Sequence, residues 1–219
     1  MGHVYVDFDG TIAPCDPTDR VFARFCPPSW RGLERECQQG RLSPRAAMAQ
    51  QVALLRATPS QLVQLLNSIT IDPAFVSFVA SCQRWDFRVV VVSDGLDRVV
   101  EHVLRAAGLQ LPVFANRLKW AGGDRWRLEF PYAQLACAAA LGNCKCGHQR
   151  QATLGSLAVV VGDGRSDFCI AERAHLVLAK GQLAAHCQVR NLPHLPIADF
   201  ADATVALGRW LAQNVRKSA

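Results

Sequence analysis

The stretch Val4-Tyr-Val-Asp-Phe-Asp-Gly-Thr11 decides the fold. Its apolar start predicts a strand, and the strand ends on two carboxylates, Asp7 and Asp9. Side chains two residues apart on an extended segment point the same way, so both acids are delivered to one place. Gly10 allows a sharp turn there, and Thr11 adds a hydroxyl and a backbone N–H. This set favours a site for a divalent cation and an oxyanion over a turn that the acids merely solvate or cap.

Two later segments repeat the pattern of an apolar strand that ends on polar residues. Four consecutive valines precede Ser93-Asp94-Gly95, and Leu157-Ala-Val-Val-Val161 precedes Gly162-Asp163-Gly164. Continuous apolar strands are typical of parallel sheets that are buried on both faces. In such sheets ligands bind beyond the carboxyl ends of the strands. We therefore expect these side chains to converge: Asp7, Asp9, Ser93, Asp163 and Asp167.

The first two strands are separated by a long helical segment. From Arg20 to Ser68 apolar residues return at three- and four-residue spacing, and Ser43-Pro44 and Thr58-Pro59 are typical helix starts. Alternating strands and helices elsewhere indicate an α/β fold with a parallel sheet. We expect residues 1–15 and 79–219 to form the core and residues 16–78 to form a helical insertion.

Several smaller elements are also predicted. Four helices are expected, at Ala74–Arg84, Asp97–Ala107, Gln134–Leu141 and Asp199–Val215. Two short strands are expected at Pro112–Asn116 and His175–Ala179, and a hairpin at Leu118–Phe130. The segment around Lys145 is expected to form a loop.

Composition limits the classes of function. Half of the 219 residues are apolar, which suffices for one core domain with an inserted subdomain. No membrane span or signal-peptide pattern is present, so we expect a cytoplasmic protein in which the nine cysteines are mostly reduced. The net charge of +6 comes without a basic run, and this favours a small anionic substrate over nucleic acid. The sequence carries no signal for an oligomeric state.

The acids suggest a reaction as well as a metal. Asp7 and Asp163 would repel each other unless a hard cation such as Mg²⁺ lay between them. A carboxylate can attack phosphorus directly, and a second carboxylate two residues later can protonate the leaving oxygen and then activate water. Ser93 and Lys145 would neutralise and orient the phosphoryl oxygens. We predict a Mg²⁺-dependent enzyme that acts on a small phosphorylated metabolite.

A cluster of soft ligands follows the predicted hairpin. Cys137, Cys144, Cys146 and His148 supply ligand types that zinc accepts, but no Cys-x-x-Cys pair is present. The interpretation as reduced structural thiols is preferred, and a zinc site stays open as the alternative. A bond between Cys144 and Cys146 would close a small, strained ring.

In chain order, Asp7-Phe-Asp-Gly-Thr11, Ser93, Lys145 and Gly162-Asp163-Gly-Arg-Ser-Asp167 resemble the four motifs of the haloacid dehalogenase (HAD) superfamily of phosphatases. The resemblance implies a Rossmann-like parallel core with a helical cap between the first and second motifs. It implies that Asp7 is the nucleophile, that Asp9 is the acid and base, and that the metal is held by Asp7, the Asp9 carbonyl, Asp163 and Asp167. The set predicted to bind phosphate or substrate is Thr11, Asp16, Ser93, Asp94 and Lys145.

Other segments resemble two branches of this superfamily. Phe25-Cys-Pro-Pro-Ser-Trp30, the cysteines flanking Lys145 and Arg190-Asn-Leu-Pro-His-Leu-Pro196 are similar to the 2-hydroxy-3-keto-5-methylthiopentenyl-1-phosphate phosphatases of methionine salvage. Phe114-Ala-Asn-Arg-Leu118 and Asp16 are similar to phosphoserine phosphatases, but Gln51 stands where those enzymes use an arginine for the substrate carboxylate. The alternatives are a phosphoserine or phosphoamine phosphatase, or an inactive core that regulates or binds nucleic acid.

Overall fold

The protein is an α/β structure built on one seven-stranded sheet. A computed structural model of the chain describes residues 2–134, 137, 139–150 and 156–214. The strands are β1 (Gly2–Val6), β2 (Phe87–Leu96), β3 (Val113–Gly122), β4 (Arg125–Glu129), β5 (Leu157–Gly162), β6 (Leu176–Ala179) and β7 (His194–Pro196).

The strand order places β1 in the middle of the sheet. That order is β4-β3-β2-β1-β5-β6-β7, and every pairing is parallel except the antiparallel β3–β4 hairpin. Val4 pairs with Val89 on one side and with Val159 on the other. The carboxyl ends of β1, β2 and β5 therefore lie next to one another, as the sequence predicts.

Both faces of the sheet are buried. Along β1, Val4 and Val6 belong to the larger apolar cluster on one face, and Tyr5 belongs to a smaller cluster on the other face. This alternation explains why the central strands have no polar face in their sequences. Ten helices are found among the described residues: α1 (Pro17–Phe25), α2 (Trp30–Gln38), α3 (Pro44–Leu54), α4 (Pro59–Leu66), α5 (Phe75–Arg84), α6 (Asp97–Ala106), α7 (Lys145–Arg150), α8 (Phe168–Ala171), α9 (Gly181–Val189) and α10 (Phe200–Asn214).

Helices α1–α4 form the segment between β1 and β2. Their starts follow local rules: Ser43 caps α3, and Thr58 and Gln61 form a capping box at α4. The segment also contacts the β3–β4 hairpin, because Trp126 Nε1 donates a hydrogen bond of 2.8 Å to the Ala57 carbonyl.

Helix α5 crosses the boundary expected between insertion and core. Phe75 and Phe78 lie with ring centroids 4.7 and 5.1 Å from the ring of Phe200 in α10, within the main apolar cluster. The division into core and cap stays a prediction. Because α5 packs on the core, we propose that the cap ends before Phe75.

Three predicted elements differ from the structure. The segment expected as a loop around Lys145 begins a helix, α7, at that residue. The helix expected over 134–141 is wrong for its described residues, which form turns through Cys137 and Ala140, while residues 135, 136 and 138 lie outside the described part. The short strand and the first arm of the hairpin are one strand, β3. Val215, expected at the end of the last helix, also lies outside the described residues.

Within the described ranges, none of the helices has the length and apolar character needed to cross a bilayer.

Candidate functional site

The carboxyl ends of β1 and β5 meet around a buried lysine. Lys145 Nζ donates hydrogen bonds to Asp7 Oδ1 at 2.5 Å and to Asp167 Oδ1 at 2.7 Å. All three side chains are at most 6% exposed. Lys145 is the first residue of α7, so the start of this helix brings the ammonium group to the acids of the first and fourth motifs.

The turn after β1 is shaped by close contact with Asp163. Gly10 has a φ of +77°, and a Cβ at this position would lie 2.5 Å from Asp163 Oδ2. Thr11 Oγ1 donates a hydrogen bond of 3.0 Å to Asp163 Oδ1. A side chain at position 10 is therefore excluded both by the backbone conformation and by the carboxylate. This is the local reason why the opening stretch needs a glycine.

Three of the acids are arranged so that they can hold a cation. One carboxylate oxygen from each of Asp7, Asp163 and Asp167 lies within 4.8 Å of the other two. Carboxylate oxygens are the ligands that Mg²⁺ prefers, and partial solvent access at Asp163 leaves room for its retained waters. The donor set therefore fits the predicted ion.

Asp9 points away from this cluster, toward the helical insertion. Its Oδ2 accepts a hydrogen bond of 3.0 Å from Ser93 Oγ, and its Oδ1 accepts one of 3.3 Å from Thr18 Oγ1. Ser93 is fully buried, and its oxygen in turn accepts from the Gly95 backbone N–H at 2.8 Å. The Asp9 carboxylate is consequently held between β2 of the core and α1 of the insertion.

The surroundings of Asp7, Asp9 and Lys145 shift their pKa values for different reasons. Burial raises the pKa of Asp7 to about 6, although Lys145 acts in the opposite direction. The pKa of Asp9 lies well above its usual range, because burial and the charges of Asp16 and Asp7 disfavour its ionised form. Burial alone would lower the pKa of Lys145, but Asp167 and Asp7 outweigh it and raise that pKa. Burial and neighbouring charges thus favour the protonated form of Asp9, whereas Lys145 favours the ionised form of Asp7.

Asp94 follows Ser93 and faces the same region, but its carboxylate is engaged within the protein. Its Oδ1 accepts hydrogen bonds from the Asn143 backbone N–H at 2.8 Å and from Asn116 Nδ2 at 3.2 Å. A carboxylate would repel a phosphate at close range. We therefore propose that Asp94 serves the predicted phosphate site by fixing the segment before Lys145.

Asn143 is a structural residue of the site that the sequence analysis missed. It is fully buried, and its Nδ2 donates to the carbonyls of Ser93 at 2.8 Å and Phe114 at 2.7 Å. Its Oδ1 lies 2.6 Å from His148 Nε2. Asn143 thus ties β2 and β3 to the start of α7, two residues before Lys145. An asparagine after a glycine gives no signal of this kind in a single sequence.

The His148 side chain, one of the four ligands considered for zinc, is engaged in other contacts. The His148 ring is stacked on Phe114, with centroids 4.4 Å apart, and its Nε2 is paired with Asn143. Burial lowers the pKa of His148 to about 4. Cys144 and Cys146 are free thiols with sulfur atoms 3.2 Å apart, on either side of Lys145.

A cavity of about 280 Å³ lies between the acids and the helical insertion. Asp16 lies at its solvent-exposed rim, where Oδ1 caps α1 by accepting from the Asp19 backbone N–H at 2.8 Å. The insertion also contributes Phe22, Glu34, Met48 and Gln51 to the lining. Glu34 was not found from the sequence, because a single acid on an exposed-looking helix resembles any solvated side chain.

Comparisons with known proteins agree with this geometry. The model of the haloacid dehalogenase-like hydrolases matches residues 4–172, which include every acid of the site and Lys145. The chain belongs to the haloacid dehalogenase-like hydrolase family. Three predictions are thereby confirmed: the family, the α/β fold and the class of enzyme, a phosphatase of this family.

Alignments with individual HAD-like hydrolases cover almost the whole chain. A 2-hydroxy-3-keto-5-methylthiopentenyl-1-phosphate phosphatase from Exiguobacterium sp. is 33% identical over 204 residues, covering 91% of this chain and 94% of its own. The enzyme of the same name from Geobacillus kaustophilus is 30% identical over 210 residues, covering 94% and 95%. A substrate-bound phosphoserine phosphatase structure superposes with a TM-score of 0.65 at 20% identity, covering 91% of this chain and 95% of that chain. This last likeness concerns the fold.

Proposed function

We propose that this HAD-like hydrolase is a Mg²⁺-dependent phosphatase that uses Asp7 as its nucleophile, and that its substrate is 2-hydroxy-3-keto-5-methylthiopentenyl 1-phosphate. The main support for the reaction is the pairing of Asp7 with buried Lys145 at 2.5 Å, beside an Asp9 whose pKa is raised. Lys145 favours the ionised form of the carboxylate that would attack, whereas burial and neighbouring charges favour the protonated form of the one that would give a proton away.

The proposed reaction has two steps. In the first, an Asp7 carboxylate oxygen attacks phosphorus, the bond from phosphorus to the ester oxygen breaks, and Asp9 gives its proton to that leaving oxygen. In the second, Asp9 takes a proton from water as the water oxygen attacks phosphorus. This step releases inorganic phosphate and restores the Asp7 carboxylate, so Asp9 serves as acid and then as base.

The remaining residues of the site would balance the negative charge of the phosphoryl group and hold the metal. In the proposed reaction Lys145, which contacts Asp7, and Ser93, which contacts Asp9, donate to phosphoryl oxygens, where negative charge must be balanced. Asp7, Asp163 and Asp167, with the Asp9 carbonyl, would hold Mg²⁺, which supplies further positive charge to the phosphoryl group when bound. Thr11 fixes Asp163 through its hydroxyl.

The choice of substrate is supported by the relatives named for the methionine-salvage ester, which match this chain at 33% and 30% identity over nearly its full length. Phosphoserine is the second candidate, since the solved structures of similar fold include phosphoserine phosphatases. The neutral amide of Gln51 in the cavity lining disfavours it, because a substrate carboxylate would find no cation there.

Phosphate release from both esters and from p-nitrophenyl phosphate tests the proposal. We expect Mg²⁺-dependent turnover that favours the salvage ester, and loss of turnover in Asp7→Asn. Asp124→Asn makes the same chemical change at an exposed position in the β3–β4 turn and should retain turnover. A protein that is inert toward all three esters with Mg²⁺ would contradict the proposed reaction. Preferred turnover of phosphoserine would contradict only the substrate.

A further inference from the structure

The cavity above Asp7 and Asp9 has an unusual balance of charge. Among the described residues that line it, acids and apolar groups are present, but lysine, arginine and histidine are absent. Two of the acids, Asp16 and Asp19, lie at the exposed rim, where water screens their charges. Glu34 is only partly exposed, so its charge acts more strongly on a group bound inside the cavity.

Glu34 of α2 contacts two amides, one on α3 and one on the next turn of its own helix. Its Oε2 accepts from Gln51 Nε2 of α3 at 3.4 Å, and its Oε1 accepts from Gln38 Nε2 at 3.4 Å. Both distances are at the long end for hydrogen bonds. The carboxylate is therefore oriented while it still has lone pairs for a donor on a bound molecule.

Gln51 offers a further acceptor to the cavity. The residue is only 3% exposed, and it lines the cavity. Because Nε2 donates to Glu34, Oε1 is the remaining polar atom, and it accepts no hydrogen bond from the described residues. Gln51 Oε1 is not among the fully buried polar atoms that lack a partner, so it is open to the cavity, where a hydroxyl on a ligand can donate to it.

From these contacts we infer that Glu34 and Gln51 determine specificity, by selecting a leaving group that has a hydroxyl and lacks a carboxylate. This inference rests on the proposed function. A hydroxyl can donate its single O–H to either acceptor, Glu34 or Gln51 Oε1, whereas a carboxylate would meet a like charge with no cation in the lining. Phe22 and Met48 supply an apolar wall for an uncharged tail. The hydroxyl and the methylthio end of the proposed substrate satisfy both requirements.

A pair of matched esters isolates the charge. Glycerol 3-phosphate and 3-phosphoglycerate differ only at the terminal carbon far from the phosphate, which is a hydroxymethyl group in the first and a carboxylate in the second. We expect the wild-type enzyme with Mg²⁺ to have a kcat/KM at least about 30-fold higher for glycerol 3-phosphate. In Glu34→Gln and in Gln51→Arg this ratio should fall by about tenfold, mainly through a lower KM for 3-phosphoglycerate.

Glu36→Gln is the matched control. Glu36 lies on the same helix as Glu34 but is exposed, and the substitution changes the net charge by the same amount. Its ratio should stay at the wild-type value. The inference is overturned if the ratio in Glu34→Gln and Gln51→Arg stays within about threefold of wild type, or if Glu36→Gln shifts it equally. It is also overturned if wild type hydrolyses both esters alike. Failure to release phosphate from any ester, p-nitrophenyl phosphate included, would instead identify the proposed function as the part that failed.

Discussion

Replacing Lys145 with methionine should destabilise the folded protein strongly, because it removes a cation from between two buried carboxylates. Lys145 Nζ lies 2.5 Å from Asp7 Oδ1 and 2.7 Å from Asp167 Oδ1, and its side chain is 1% exposed. Methionine has a similar length and fills irregular space well, so most of the change is electrostatic.

The magnitude follows from the geometry of the two acids. Their oxygens lie within 4.8 Å of each other, so without the lysine they repel by roughly 3.5 kcal/mol at an effective dielectric constant of about 20. Removing one partner of a buried ion pair typically costs about 3–5 kcal/mol. For a chain of 219 residues this predicts a Tm lower by about 6–20 °C.

Urea unfolding in EDTA, followed by circular dichroism, measures this cost. Lys119→Met is the matched control, because Lys119 is exposed on β3, and its free energy of unfolding should stay within about 0.5 kcal/mol of wild type. Mg²⁺ should stabilise Lys145→Met more than it stabilises wild type, since the ion supplies positive charge to the same acids. A Lys145→Met protein that unfolds within about 1 kcal/mol of wild type in EDTA would refute this account of the site.

Three further predictions concern single features. Burial lowers the pKa of His148 from 6.5 to about 4, so the unfolded chain binds this proton more readily than the folded protein does. Stability that is fully present above pH 6.5 should therefore fall by up to about 3 kcal/mol as the pH drops through this window, and urea titrations of His148→Gln should show a smaller fall. In Gly95→Ala the new Cβ would lie 2.7 Å from Asp9 Oδ2 and 2.8 Å from Thr18 Oγ1, so kcat/KM for p-nitrophenyl phosphate should drop at least about tenfold, and an unchanged value would show that these side chains can move aside. Removal of Mg²⁺ with EDTA should stop phosphate release and added Mg²⁺ should restore it; turnover that persists in EDTA would count against a required metal.

The placement of the acids could be predicted because it depends on local patterns. Asp7 and Asp163 each follow a run of apolar residues, and a parallel sheet brings the ends of neighbouring strands together. Once β1 lies between β2 and β5, their convergence needs no further information. The same logic placed Ser93 at the end of β2, which the structure shows next to Asp9.

The parts that escaped prediction depend on tertiary contacts. Lys145 was expected in a loop, because Cys144-Lys-Cys-Gly147 contains no apolar period from which a helix can be recognised. What fixes α7 is Asn143, whose amide reaches strands β2 and β3, at Ser93 and Phe114. Glu34 is similar, since its partner Gln51 lies 17 residues away on another helix. No spacing rule connects such residues before the fold is known.

The position of Asp9 links the two parts of the molecule. One of its oxygens is bound by Ser93 of the sheet and the other by Thr18 at the start of α1, so neither part alone fixes the carboxylate. Glu34 and Gln51, which we propose to contact the leaving group, belong to the same insertion as Thr18. A leaving group held by Glu34 and Gln51 would therefore be positioned by the same helical insertion that holds the Asp9 carboxylate through Thr18. We therefore expect recognition of the ester and proton transfer to it to be coupled, so that a poorly fitting ester loses kcat as well as affinity.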